Sequence, residues 1–347
     1  MKDPFYRKAF RFRPVWTLVL GFLVLAASWG PAMAQTYNYC TVSTGNIDLG
    51  QYSSFEIAAS SKQGSGSGGL ACTAILSLLN SSYIKVKVDN ASFTLTGGAD
   101  NQTINFFLST TENGTPIASG AEFDMSSLDI LHLFSGPGGS LPLYVRTSAQ
   151  AALKAGTYTG TVNLRWYFSV CTLGLVGICS FSNSTGFVRP GLFTTLDWGQ
   201  GVATTVTVKM ELTNDCVITA PNIDFGQAPF AANFNAVTGT ILIRCSAGAS
   251  YSVGLNDGNY YNNGWRRMRN ATTGEYLQYD IYQTSTSTLR WGSSGAERRS
   301  SSTAEINPNV YDGVVNQGFT YKARINPSQT TPGVGTYKDT IILDVQF

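Results

Sequence analysis

The chain has 347 residues, with 23 lysines and arginines against 21 aspartates and glutamates, a formal charge of +2, and 43% hydrophobic residues. Such a balance implies neither a nucleic-acid nor an anionic-membrane partner. Its one histidine, His132, leaves a Ser-His-Asp or Cys-His catalytic group a single place to stand, and it reads as an ordinary loop residue.

In chain order, Lys2, Arg7, Lys8, Arg11 and Arg13 precede the apolar run TLVLGFLVLAA (17–27), and AMA (32–34) offers a small-residue cleavage site. The run is short for a membrane span. Residues 1–34 therefore read as a signal peptide, with the mature chain expected to begin at Gln35. All six cysteines (Cys40, Cys72, Cys171, Cys179, Cys216 and Cys245) lie beyond the leader, and an even count in an exported protein reads as disulfides. Six cysteines allow 15 pairings, of which the spacing favours three sequential pairs. There is no C-x-x-C and only one histidine, so no metal is expected, and nothing implies a cofactor.

GSGSGG (64–69) satisfies G-x-G-x-x-G but lacks a strand-to-helix frame, and it reads as a flexible loop. TAILSLLNSS (73–82) brings Ile75, Leu76, Leu78 and Leu79 together, and YIKVKV (83–88) alternates like a strand. Glu122 and Asp124 are spaced carboxylates of the kind that hydrolyse glycosides, but nothing marks them as catalytic. DILHLFSGPGGSLPL (129–143) holds Leu131, Leu133 and Phe134, then alternates Leu141, Leu143 and Val145 as a strand would.

After the strand TVNLRWYF (161–168) comes a short loop closed by Cys171 and Cys179 and filled with Leu173, Leu175, Val176 and Ile178. Nine residues closed on themselves add little core, and Gly174 and Gly177 suggest a hairpin turn, so these side chains are expected to face outward. FVRPGLF (187–193) is a weaker apolar segment, and Trp198 offers an aromatic face of the kind that stacks on sugars. For each apolar segment the competing reading is buried core. TTVTVKMEL (204–212) is one more strand, while WRRMR (265–269) and Arg298–Arg299 read as a solvated basic face. No segment after the leader keeps helical spacing. The fold class is therefore all-β, built from short strands in a sandwich.

The chain also repeats itself. CTVSTGNIDLGQY (40–52) parallels CVITAPNIDFGQA (216–228), and GTYTGTVNLRWYF (156–168) parallels GTYKDTIILDVQF (335–347). Two copies of one sandwich in tandem is the expected architecture. The first copy continues past Phe168 to the extra strand at 203–212, whereas the second stops at Phe347, where its last repeat strand ends. The second copy is thus expected to lack a strand, leaving an apolar groove and an unpaired edge.

CVITAPNIDFGQ, ILIRCSAGASYSVGLNDG, WRRMRNATTGEYLQYDIY, LRWG and the closing GTYKDTIILDVQF resemble the spore coat U domain family, from about Cys216 to Phe347. That family includes subunits of archaic, Csu-type chaperone–usher pili, and a two-domain member with a long first domain is similar to the tip adhesin of such pili. The resemblance implies two immunoglobulin-like β-sandwich domains: a complete adhesin domain over 35–212 and an incomplete, strand-accepting pilin domain over 213–347.

It also implies partners. A periplasmic pilus chaperone would lend the missing strand and grip the C-terminus at Phe347, an outer-membrane usher would export the subunit, and the next pilus subunit would replace the strand. QTYNY (35–39), at about 3.3 Å per residue, is too short to serve as a donor itself, which places the chain at the fibre tip on the cell surface. The expected function is attachment to hydrophobic or abiotic surfaces through the apolar loops, leading to biofilm. A lectin-like tip, or a coat or rod subunit without adhesive role, are the alternatives, and an enzyme is not expected.

Overall fold

The computed structural model describes residues 35–37, 39–73, 82–126, 133–175 and 178–347, with 35, 172–175 and 178 described in backbone only. The expected signal peptide lies outside the described residues.

The structure is nearly all β. In the first half the strands are β1 (Gln35–Tyr37), β2 (Cys40–Val42), β3 (Gly45–Ser53), β4 (Gln63–Cys72), β5 (Tyr83–Ala91), β6 (Thr94–Gly97), β7 (Gln102–Ser109), β8 (Glu122–Asp124), β9 (Ser140–Thr147), β10 (Gly156–Leu175), β11 (Ile178–Asn183) and β12 (Val202–Thr213). The helix α1 (Ser54–Ala59) starts at a capping box in which Ser53 and Glu56 bond each other's backbone. The strands form one curled sheet in the order β1-β2-β4-β9-β7-β6-β10-β12-β3, with β5 and β11 also on β10 and β8 on β5.

The second half contains β13 (Cys216–Thr219), β14 (Val237–Cys245), β15 (Ser252–Leu255), β16 (Arg266–Asn270), β17 (Tyr276–Tyr282), β18 (Arg299–Ser300), β19 (Gln317–Ile325), β20 (Tyr337–Lys338) and β21 (Leu343–Gln346). Here one sheet runs β13-β14-β19-β17-β16-β20 and a smaller one β18-β15-β21. Each half has its own core, one drawn from Cys40 to Leu212 and the other from Ala231 to Ile325.

The repeat is visible in bonds. Disulfides join Cys40 to Cys72 and Cys216 to Cys245, each pair directly opposite in neighbouring strands, and a third joins Cys171 to Cys179. In both NID-x-GQ motifs the aspartate accepts from the glycine two residues on, 2.9 Å for Asp48–Gly50 and 2.8 Å for Asp224–Gly226. Both glycines have positive φ, which that turn requires. Both GTY tyrosines donate to the carbonyl four residues upstream, Tyr158 to Lys154 at 2.8 Å and Tyr337 to Gly333 at 2.6 Å.

Two expectations need correction. GSGSGG is not a flexible loop; it lies within β4, and β3 crosses it closely. A Cβ at Gly66 would strike the Asn46 carbonyl, and one at Gly68 would lie 2.9 Å from the Leu141 carbonyl, so the glycines serve close packing rather than mobility. Nor is WRRMR a wholly solvated face. Arg266 is buried, pairs with Asp280, and donates to the carbonyls of Leu255, Asn256 and Trp291 at 3.0, 2.9 and 2.8 Å. Burial lowers its pKa, against the pull of Asp280. Arg299 is buried too, bonding Thr320 O, Thr303 O and Glu305. A charge count along the sequence cannot distinguish guanidiniums that cross-link loops from those that face water.

Candidate functional site

Two features stand out: a strand with one unpaired edge in the second half, and in the first a long ribbon with an exposed apolar hairpin tied to it.

The open position follows from comparing the GTY strands. In the first half β10 is flanked on both sides. Leu164 and Trp166 face Val88 and Val86 of β5 on one edge, and Thr204 and Val202 of β12 on the other. Beyond β12, running parallel to it, lies β3. Val202, Val206, Val208, Met210 and Leu212 of β12 are all buried, sealing the core.

In the second half β21 keeps the first of these neighbours in the same register, with Leu343 and Val345 facing Leu255 and Val253 of β15. Its other edge pairs with no strand among the described residues. The counterpart of β3, residues 221–229, forms no strand, although Ile223 and Phe225 keep the inward alternation of Ile47 and Leu49. Ile223, Phe225, Ile341, Leu343 and Val345 are consequently only half-buried against the core. Ile342 and Phe347 stand in solvent, Phe347 58% exposed.

Each apolar side chain of the β12 kind contributes roughly 1.5–3 kcal/mol on burial. Five together rival the whole stability of an ordinary domain, about 5–15 kcal/mol. The second half lacks that contribution. Its groove wall is otherwise well tied. Arg298 donates to Asp344 of β21 at 2.7 Å and to Ser252 of β15 at 3.0 Å. Tyr279 donates to Asp339 at 2.8 Å, and burial, with Asp339 beside it, raises the tyrosine's pKa.

The apolar turns sit where β10 outruns its sheet. Its pairing with β5 ends at Ser169 and with β12 at Trp166, and beyond that it pairs only with β11, through Leu175 opposite Ile178. The result is a two-stranded ribbon with Cys171–Cys179 near its base, and the residues expected to turn it, 176–177, lie outside the described residues. The side chains of Leu173, Leu175 and Ile178, and all of Val176, lie outside the described residues. So do Ile75, Leu76, Leu78, Leu79 and Leu131, along with His132. Leu133 and Phe134 are described and lean half-buried on the core. Leu141, Leu143 and Val145 are buried in β9, as their alternation requires.

Segment 187–193, ranked low from sequence, carries the most exposed apolar pair among the described residues of the first half. Val188 and Asp197 bond each other's backbone at 2.8 and 3.0 Å, and Gly191 N donates to Thr194 O at 2.9 Å, closing a small hairpin. At its apex Leu192 is 91% and Phe193 93% exposed. The base is fixed. The Arg189 guanidinium lies 3.8 Å from the ring centroid of Phe181 on β11 and donates to Ser169 Oγ of β10 at 2.7 Å, which ties this hairpin to the stapled one. Trp198 packs edge-on against Phe187, Tyr83 and Tyr167, with the Lys85 ammonium 4.5 Å over its ring. The signal in the sequence was Pro190-Gly191 between apolar residues, which marks a chain reversal. Glu122 is paired with Lys85 at 2.8 Å, and Asp124 accepts from Ser126, so each carboxylate has a structural partner.

The family described as Spore Coat Protein U domain matches residues 27–165 and 202–344. Among solved structures, the chain is similar to one in the CsuC–CsuE chaperone–tip adhesion subunit pre-assembly complex from archaic chaperone–usher Csu pili of Acinetobacter baumannii. Identity there is 32%, with 89% of this chain and 100% of that chain covered and a TM-score of 0.69. CfaE, the adhesive subunit of the CFA/I fimbria of enterotoxigenic Escherichia coli, matches at 10% identity over 90% of this chain and 93% of that one. Its TM-score is 0.30, too loose to carry an argument. No curated protein matches.

Proposed function

Because the chain belongs to the Spore Coat Protein U domain family, we propose that it is an adhesive subunit of a chaperone–usher pilus that receives a strand in its second half and presents apolar turns from its first. Residues 35–212 act as the self-sufficient adhesin domain and 213–347 as the pilin domain. A periplasmic chaperone supplies the strand after export and holds the end of the chain at Phe347; the next subunit's extension takes its place at the usher. A strand entering as β12 does would run antiparallel to β21 and parallel to 221–229, placing alternate apolar residues over Ile223, Phe225, Leu343 and Val345. The chain's own first strand is already engaged, since Gln35–Tyr37 pairs back onto β2. This suits a tip position on the cell surface.

In the first half the stapled ribbon and the 188–197 hairpin, together with Ile75–Leu79 and Leu131–Phe134, form the attachment surface for hydrophobic and abiotic material, the first step towards a biofilm. Water release from apolar side chains drives such contact without specific polar partners. The observation that carries the proposal is the missing neighbour of β21 in a chain whose other half has one. The test is co-expression. With a strand-donating chaperone the chain is expected to be soluble, and without it to aggregate. Replacing Leu173, Leu175 and Val176, or Leu192 and Phe193, with serine should leave pili assembled and reduce binding to plastic. Unchanged binding in both variants would refute the attachment surface.

A further inference from the structure

A further binding feature lies on strands of the first half that carry neither feature above. On the outward face of β4, β9 and β7, residues fall into two cross-strand rows: Gln63–Arg146–Phe107 and Ser65–Tyr144–Ser109. The loop after β7 rises beside them and is held in shape. Ser109 Oγ donates to Thr111 O at 2.8 Å, Gln63 Nε2 to Asn113 Oδ1 at 3.0 Å, and Ile117, buried, donates back to Leu108 O at 2.8 Å. Floor and wall enclose a cavity of about 190 Å3.

Part of its polar lining is unused. Ser65, Glu112, Tyr144 and Arg146 all line this cavity, and none of these four side chains has a hydrogen-bond or ion-pair partner among the described residues. The Arg146 guanidinium touches only the Phe107 ring, 5.7 Å from its centroid, and Phe107 is 43% exposed although it sits mid-sheet. Free donors, a free carboxylate and an apolar ring thus converge on one small concavity.

We propose that this cleft binds a neutral sugar ring. A pyranose has an apolar C–H face that suits Phe107 and adjacent hydroxyls that both donate and accept. One vicinal pair can accept from the fork of Arg146 while another hydroxyl donates to Glu112. Opposite unpaired charges in one site disfavour an anion, which Glu112 would repel, and equally a cation, which Arg146 would repel. The volume is below the roughly 300–1,000 Å3 of drug-sized sites, which fits one ring rather than an extended chain. This reading differs from a sugar site at Trp198, whose ring carries Lys85.

The experiment is saturation-transfer NMR on the full mature chain in complex with a strand-donating chaperone, with a panel of neutral and acidic methyl glycosides and the chaperone alone as control. At least one neutral glycoside should take up saturation, most strongly at ring C–H protons. Arg146→Gln and Glu112→Gln should each weaken it about tenfold or more, the effect of a lost charge-assisted bond, as should Phe107→Ala. Leu192→Ser with Phe193→Ser should leave sugar binding intact, and Arg146→Gln should leave binding to plastic intact, so this site and the attachment surface stand or fall separately. The proposal is overturned if no neutral glycoside responds, if only acidic ones do, or if the Arg146 and Glu112 variants bind as the parent does.

Discussion

The two halves share a strand that meets two fates. In the first half the GTY strand is enclosed by β5 and β12; in the second, β21 has β15 alone. The sequences around the two strands are alike, and so are the disulfides, the aspartate–glycine turns and the tyrosine bonds. At this strand, what differs is the apolar neighbour β12, present in the first half and without a counterpart among the strands of the second. Completeness of a sandwich is therefore not a property of its motifs but of whether one amphipathic segment is present to cover its last gap.

Four substitutions or conditions sharpen that contrast, taken from the largest expected effect. Val208→Asp in β12 puts a carboxylate among buried apolar residues and should cost about 3–5 kcal/mol, unfolding the first half in a thermal melt while leaving chaperone binding by the second half unchanged. Replacing both Cys171 and Cys179 with serine opens a nine-residue loop. A loss of about 2.5 kcal/mol or less in the first half, with its core retained, is expected by circular dichroism.

Arg298→Ala removes the tie between Asp344 and Ser252. It should lower the affinity of the second half for a donor peptide by about tenfold or less, measured by calorimetry, without changing the melt of the first half. The smallest effect is in pH. Burial raises the Tyr279 pKa above its ordinary value near 10, so the neutral hydroxyl is favoured in the fold. Its contribution is complete below about pH 10 and is lost as pH rises through the shifted value, because the unfolded chain ionises first. A denaturation series above pH 10 should show that decline, and Tyr279→Phe should flatten it.

Much of this contrast was legible in the residues. Two pairs of cysteines, two NID-x-GQ turns and two GTY strands recur in order, and β12 was readable from its alternation alone. The missing strand followed by subtraction. What pattern reading missed is three-dimensional. Gly66 and Gly68 looked like a loop because only the close approach of β3 at the first and of β9 at the second explains why a Cβ is excluded there. Arg266 and Arg299 looked solvated because their acceptors, carbonyls and carboxylates of other segments, have no sequence signature. Leu192 and Phe193 were undervalued because a Pro-Gly turn says that a chain reverses, not how far its apex stands from the sheet. The flank cleft was invisible for the same reason: Gln63, Phe107 and Arg146 are neighbours only through strand register.

Closure of the second half by a strand from elsewhere can be read by backbone hydrogen exchange on the full chain, with and without an added peptide of the sequence VATTVTVKMELT taken from β12. The prediction is slow exchange across the core strands of 35–212 in both samples, and slow exchange of β15, β21 and residues 221–229 only when the peptide is present. Equal protection of those three segments without any added strand would contradict it.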